Sequence, residues 1–112
     1  MHLFNKVIRK LLKKRISVST AESCTGGLLS SCFTSFSGIS QIYSFGLITY
    51  SNKSKSKLLK ISDNYIKKHG AVSNEIAKKM IINLYKMSKS NLCISTTGIA
   101  GPKGGTKLKP VG

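Results

Sequence analysis

Side chains with an evident catalytic chemistry are few in this sequence of 112 residues. Ser40, Tyr50 and Lys55 lie around a predicted strand, and they would suit a serine nucleophile that is activated by a neutral lysine. Their spacing alone does not single them out, because the pattern around Lys55 is more typical of an ordinary solvated helix lysine. His2 and His69 are more typical of surface residues than of general bases. The residue types therefore permit serine chemistry without establishing it.

Two glycine-rich loops each follow a predicted strand. Thr25, Gly26 and Gly27 open a predicted helix, where free N–H groups and the helix dipole favour an anion. The second loop covers residues 97–105, and its glycines are Gly98, Gly101, Gly104 and Gly105. Glycine allows a ligand to approach the backbone closely. The loops predict a phosphate or carboxylate site, and structural turns without a ligand remain the alternative.

The sequence has three cysteines and three acidic residues, and these small numbers limit the disulfide, metal and thiol chemistry that it could carry. An odd cysteine number without C-x-x-C spacing argues against a disulfide framework and a zinc site, and it suits a reducing, cytoplasmic location. Cys24 is either a thiol activated by the nearby helix start or a small buried residue. No run of apolar residues predicts a membrane span, and we expect neither a metal nor another cofactor.

The net charge of +16 arises from 19 basic residues, and only Arg9 and Arg15 are arginine. Clustered cations bind polyanions, but base reading and bidentate phosphate contacts favour arginine. A lysine-rich, alanine-poor composition is also what A/T-rich codon usage produces. We therefore expect at most weak, non-specific nucleic-acid binding.

Strand and helix patterns alternate along the chain. Strands are predicted at residues 16–19, 43–50 and 92–96, and helices at residues 3–12, 28–33, 52–60, 63–70 and 73–86. This alternation predicts an α/β layered domain with ligand loops at the strand ends. The length of 112 residues allows one domain.

Four motifs together resemble one family. They are TAESCTGG at residues 20–27, GLITYSN at residues 46–52, GAVS at residues 70–73 and TGIAGPKGG at residues 97–105. Their order and spacing are similar to those of the CinA C-terminal domain, the bacterial nicotinamide-nucleotide amidases. The resemblance extends to KPVG at residues 109–112, after which family domains continue with further strands and a helix. We therefore expect a CinA-like α/β domain over residues 1–112 that lacks these last elements.

The resemblance implies hydrolysis of the carboxamide of nicotinamide mononucleotide to the acid and ammonia, without a metal. By motif position it implies Ser40 as nucleophile, Lys55 as base and Tyr50 as an assisting residue. The glycine loops become candidate contacts for the phosphate and ribose of this nucleotide substrate.

The lysine can act as a base only if burial or neighbouring positive charge lowers its pKa from about 10.4 toward 7 or 8.

Without the last strands of the family, the sheet would have an open edge. Such an edge would favour self-association into a homo-oligomer. The alternatives are a non-catalytic basic binding module and a degenerate remnant of the family.

Overall fold

Three parallel strands form the sheet at the centre of the fold in the computed structural model, which describes residues 2–112. They are β1 (Val18–Glu22), β2 (Tyr43–Ile48) and β3 (Leu92–Thr96), in the order β2-β1-β3. The helices are α1 (His2–Lys14), α2 (Leu28–Thr34), α3 (Asn52–Leu59), α4 (Asp63–His69) and α5 (Asn74–Ser88). Strands and helices alternate as predicted, so the α/β assignment is confirmed.

The central strand β1 begins two residues later than the sequence predicts. Arg15 ends α1 in the left-handed region, at φ 52°. Ser17 is then held outside the strand, because its backbone N–H and hydroxyl both donate to Asn91 Oδ1. Thr20, Ala21 and Glu22, which read as a turn in the sequence, consequently belong to the strand. All five residues of β1 are buried, since β1 has a neighbour on each edge.

Two apolar clusters form the core. Ala21 packs with residues of α3, α4, α5 and the α3–α4 linker, namely Leu59, Ile61, Ile66, Ile76, Met80 and Leu84. Val18 packs in the second cluster with residues of α1, α2 and the turn before β2, namely Ile8, Leu11, Phe33, Ile39 and Ile42. Because alternate strand residues point to opposite sheet faces, the two clusters make a helix–sheet–helix sandwich.

Serine caps set the start of the helices after β2. Ser51, Ser62 and Ser73 each accept a hydrogen bond from a backbone N–H in the first turn of α3, α4 and α5. The caps at Ser51 and Ser73 lie at the predicted starts of the helices at residues 52–60 and 73–86, and α4 ends at Gly70 as predicted. The cap at Ser51 starts α3 close to the carboxyl end of β2, and this fixes where the side chains of α3 point.

Candidate active site

Lys55 is the most unusual side chain of the described chain, because it is a lysine with only 1% of its surface exposed. It lies on the same face of α3 as Leu59, four residues later, and this face packs against the sheet. Lys53 and Lys57 point to solvent. Burial of a lysine without a carboxylate partner is costly, so the site must serve more than packing.

Two oxygens hold the Lys55 amino group in the core. Lys55 Nζ donates to Ser23 Oγ and to the backbone carbonyl of Thr49, each at 2.9 Å. Both partners are uncharged. Ser23 follows the last residue of β1 and is 6% exposed, and Thr49 follows β2. The carboxyl ends of two adjacent parallel strands and one helix therefore meet at the lysine.

Burial lowers the pKa of Lys55, and the nearby Cys24 thiol group opposes that shift in part. In its neutral form the amine would keep both contacts. It has two N–H groups and one lone pair, so it can donate to Thr49 and accept the Ser23 hydroxyl proton. A serine next to a neutral lysine is an activated nucleophile. The sequence motifs lead to Ser40 for this role, but the geometry brings Ser23 to the lysine.

Ser40 lies at the opposite end of the sheet. It belongs to a 3-10 turn, Ile39–Gln41, directly before β2, and it is exposed. The next residue, Ile42, accepts a hydrogen bond from Val18 at the start of β1, whereas Ser23 lies beyond its end. The length of a five-residue strand, about 16 Å, thus separates Ser40 from Lys55. The two side chains are not brought together.

Tyr50 is at the correct end of the sheet but points outward. It follows β2 directly, and 65% of its surface is exposed. Within residues 2–112 its hydroxyl has no hydrogen-bond partner. The structure therefore places Tyr50 beside the site without contact to Lys55, in a position where an incoming ligand could reach it.

The first glycine loop carries an anion of its own. Glu22, which is fully buried, accepts hydrogen bonds from the backbone N–H groups of Gly27, Leu29 and Ser30. The hydroxyls of Thr25 and Ser30 also donate to it. Burial alone would raise the pKa of Glu22, but these hydrogen bonds, that from the Ser30 hydroxyl foremost, lower it on balance. The N–H groups predicted to bind a phosphate are thus engaged by a carboxylate of the same chain.

Gly26 and Gly27 allow the loop to wrap around that carboxylate. Their φ angles are 58° and 104°, in the left-handed region that side chains disfavour. Gly26 N donates to the Ser23 carbonyl, which closes a tight turn directly after the serine. The glycines of this loop consequently shape the turn that carries Ser23.

The second glycine loop lies beside the first, as the adjacency of β1 and β3 requires. A Cβ added at Gly98 would lie 3.3 Å from Cys24 Sγ, so the loops are in close contact there. Farther along, Gly101 and Gly105 accommodate Val111, whose side chain would overlap any Cβ at either position. A Cβ added at Gly104 would contact only the Ile99 side chain. Gly98 thus adjoins the lysine site, and the other three glycines pack the end of the loop.

A cleft of about 730 Å³ opens between the start of α5 and the end of β3. Its walls include His69, Ser73, Thr96, Gly98 and Lys109. We refer to it as the α5–β3 cleft. Thr96 connects it to the serine, because the Ser23 N–H donates to both the carbonyl and the hydroxyl of Thr96. One wall of the cleft is thus hydrogen-bonded to the backbone of Ser23, although neither Ser23 nor Lys55 lines the cleft itself.

The residues that the sequence analysis missed are Ser23, Thr49 and Glu22. All three lie within recognised motifs, but the sequence analysis gives none of them a role, because Thr49 belongs to the predicted strand at residues 43–50 and Ser23 and Glu22 precede the glycines of the first loop. One signal could have identified them, namely that polar residues at the carboxyl ends of neighbouring parallel strands converge on one edge of the sheet.

No group of three or more His, Cys, Asp or Glu side chains within residues 2–112 is arranged to hold a metal ion. Cys24, Cys32 and Cys93 are free thiols. None of the described helices combines the length and apolar character needed to cross a bilayer.

Known proteins share both the sequence and the fold. The chain is 52% identical over 110 residues to a CinA-like protein of Prochlorococcus marinus, which covers 98% of this chain. It spans only about a quarter of that relative, 25% of its length. The competence/damage inducible protein CihA of Agrobacterium tumefaciens superposes with a TM-score of 0.91 at 37% identity, covering 98% of this chain and 67% of that one. The competence damage-inducible protein A of Klebsiella pneumoniae also gives a TM-score of 0.91, at 30% identity, with 99% and 69% covered.

A family model adds the assignment of the whole chain. The model of the CinA C-terminal domain matches residues 1–112, the complete sequence. The motifs around Ser23, Lys55 and the two glycine loops all lie inside that match. The chain therefore belongs to the CinA C-terminal domain family.

Proposed function

We propose that this chain hydrolyses a carboxamide, with Ser23 as the nucleophile and Lys55 as its general base. The observation that carries the proposal is the 2.9 Å hydrogen bond between Lys55 Nζ and Ser23 Oγ, formed by a lysine that is 1% exposed. Ser23 replaces Ser40 in this role, because Ser40 lies about a strand's length away.

The chemistry follows from those two groups. Neutral Lys55 accepts the Ser23 hydroxyl proton as Oγ attacks the amide carbon, which forms a tetrahedral oxyanion. The lysine then gives the proton to the amide nitrogen, and ammonia leaves as the C–N bond breaks. Water, deprotonated by the same amine, hydrolyses the resulting ester and restores Ser23. Each proton removed by Lys55 is returned, so the cycle needs no cofactor.

Nicotinamide mononucleotide is the substrate we propose, since the sequence motifs resemble those of nicotinamide-nucleotide amidases. The α5–β3 cleft supports this choice through its size and lining. Lys109 and His69 in its lining offer donors for a phosphate. The carboxamide would then point toward Ser23, past Thr96 and Gly98, with the exposed Tyr50 close by as an assisting residue.

The test is ammonia release from nicotinamide mononucleotide by the purified protein. Lys55→Ala serves as the control for contaminating amidases, which copurify readily with basic chains. We expect turnover by the wild type and loss of at least about 10³-fold in the variant, as for removal of an activating base. Equal release by both proteins would overturn the proposal. Absence of turnover by a folded wild type, with salt-sensitive binding to a polyanion, would favour the basic binding module.

A further inference from the structure

We propose that Glu22 is a positioning residue for the Ser23–Lys55 pair, acting through the loop that its carboxylate organises. This inference rests on the proposed function and deepens it. Glu22 Oε1 accepts from the Thr25 hydroxyl at 2.6 Å, Gly27 N at 3.2 Å and Leu29 N at 2.9 Å. Oε2 accepts from the Ser30 N–H at 2.9 Å and from the Ser30 hydroxyl. Both oxygens therefore hold the segment of residues 25–30.

Thr25 transmits this constraint to Ser23. Its hydroxyl is within hydrogen-bond distance of both Glu22 Oε1 and Thr96 Oγ1, the latter at 2.8 Å. Thr96 in turn accepts the Ser23 N–H at its carbonyl, at 3.0 Å. On the other side, Gly26 N donates to the Ser23 carbonyl at 3.0 Å. The backbone of the proposed nucleophile is thus fixed before and after its side chain.

The main chain of Glu22 is linked to Lys55 as well. Thr49 N donates to the Glu22 carbonyl at 2.7 Å, and the Thr49 carbonyl accepts from Lys55 Nζ. Glu22 is therefore linked through hydrogen bonds to both Ser23 and Lys55. A shift of about 1 Å between reacting groups can cost about 10²-fold in rate, so rigid placement matters for the reaction.

The negative charge itself is needed because all five partners of the carboxylate are donors. Glutamine has one oxygen and one NH₂ group, so its NH₂ would face the N–H of either Leu29 or Ser30. All the hydrogen bonds that this carboxylate accepts come from residues 25–30. Lys55 receives only uncharged partners, and this keeps its amine available as a base.

Three substitutions test the inference. Glu22→Gln removes the charge, and Asp63→Asn makes the same chemical change at an exposed carboxylate. Thr25→Val breaks the link between Glu22 and Thr96 with little change in shape, and Thr25→Ser restores the hydroxyl. For each, kcat and KM for nicotinamide mononucleotide are measured, together with the ¹⁵N-NMR titration of the Lys55 amine.

We expect kcat of Glu22→Gln to fall about 10²-fold with KM changed less than about threefold, because positioning acts on the reacting groups. Thr25→Val should lose about tenfold and Thr25→Ser should recover most of it. Looser packing of the loop should admit water to the Lys55 amine, and the relieved desolvation should move its titration toward the ordinary lysine range in the weakened variants. Asp63→Asn should match the wild type in every measurement.

A folded Glu22→Gln with wild-type kcat and an unmoved Lys55 titration would overturn the inference. If Glu22→Gln does not fold, the comparison of Thr25→Val with Thr25→Ser decides. Equal kcat values for these two variants would overturn the inference. If the wild type hydrolyses no carboxamide, the proposed function fails by itself. The Lys55 titration of the variants then still decides whether Glu22 positions the pair.

Discussion

Lys55 Nζ and Ser23 Oγ share a hydrogen bond of 2.9 Å although 32 positions separate them in the sequence. The parallel pairing of β1 with β2 creates this proximity, because it places the residues that follow both strands at one edge. The capped start of α3 then turns Lys55 back over the end of β1. A contact that is remote in sequence is thereby set by the pairing of two strands and the cap of one helix.

The first prediction separates the two candidate serines. Ser23→Ala should abolish carboxamide hydrolysis, by at least about 10³-fold, because it removes the atom that attacks. Ser40→Ala should retain wild-type turnover, since its side chain is exposed beyond the opposite strand end. Ammonia release by both variants is the measurement. A reversed result would return the nucleophile to Ser40.

The second prediction concerns stability and activity at Lys55. Lys55→Met keeps the length and apolar stem of the side chain while removing the amine. Relief from burying a polar amine and loss of two hydrogen bonds oppose each other, so the free energy of unfolding at neutral pH should change by no more than about 1 kcal/mol. Turnover should nevertheless disappear. Urea unfolding and ammonia release are measured on the same preparation, and a large destabilisation would indicate a mainly structural lysine.

The third prediction concerns how the difference in the free energy of unfolding between the wild type and Lys55→Met depends on pH. The pKa of Lys55 is lowered in the folded chain from 10.5, the ordinary value. Between the folded pKa and 10.5 the unfolded state binds more protons, so the free energy of unfolding rises with pH. The slope approaches about 1.4 kcal/mol per pH unit and vanishes below the folded pKa. The difference between wild type and Lys55→Met in urea unfolding should show this rise, and a flat difference would contradict a lowered pKa.

The fourth prediction concerns the loss of folding stability in acid, part of which we attribute to Glu22. Its folded pKa lies below the ordinary value of 4.5, so its stabilisation is fully present above pH 4.5. That stabilisation is lost as pH falls through the folded pKa. Glu22→Gln should be less stable than the wild type by about 1–3 kcal/mol at neutral pH, and the gap should close in acid. Denaturant unfolding from pH 7 to pH 2 tests this, with Asp63→Asn as the control that keeps the wild-type profile.

The fifth prediction uses a glycine inside β2. A Cβ at Gly46 would overlap the Tyr43 hydroxyl, which lies within 2.7 Å of the buried Thr20 hydroxyl. Gly46→Ala should therefore destabilise the fold by about 1–3 kcal/mol. Adding Tyr43→Phe removes the overlapping atom, so the double variant should be destabilised by less than the sum of the two single variants. Strict additivity in thermal unfolding would show that the overlap is relieved elsewhere.

Much of the fold could be predicted because its signals are local. The apolar stripe of α5, the serine caps and the alternation of strands with helices all depend on residues close in sequence. The start of β1 could not be predicted, since Asn91 determines it from the other end of the chain. Long-range side-chain contacts leave no periodic pattern.

The candidate site was predicted in part for the same reason. Lys55 was identified through its motif, but α3 contains several lysines, and only the packed position of Leu59 indicates which one faces the core. Ser23 was overlooked because small residues before two glycines are typical of turns. Glu22 was assigned to that turn too, and its burial follows only from the central place of β1 in the sheet.

The carboxylate at the start of α2 has one further consequence, for chemical complementation. If Glu22 is truncated to alanine, the Gly27, Leu29 and Ser30 amides and two hydroxyls are left around the space of the removed CH₂–COO⁻ group. Acetate has the same heavy atoms as that group and would fit in the space. Because a ligand that binds only the folded state adds RT ln(1 + [L]/Kd) to the free energy of unfolding, the truncated chain would become more stable as the acetate concentration rises. This loop is therefore a starting point for a protein whose stability is adjusted by a simple anion.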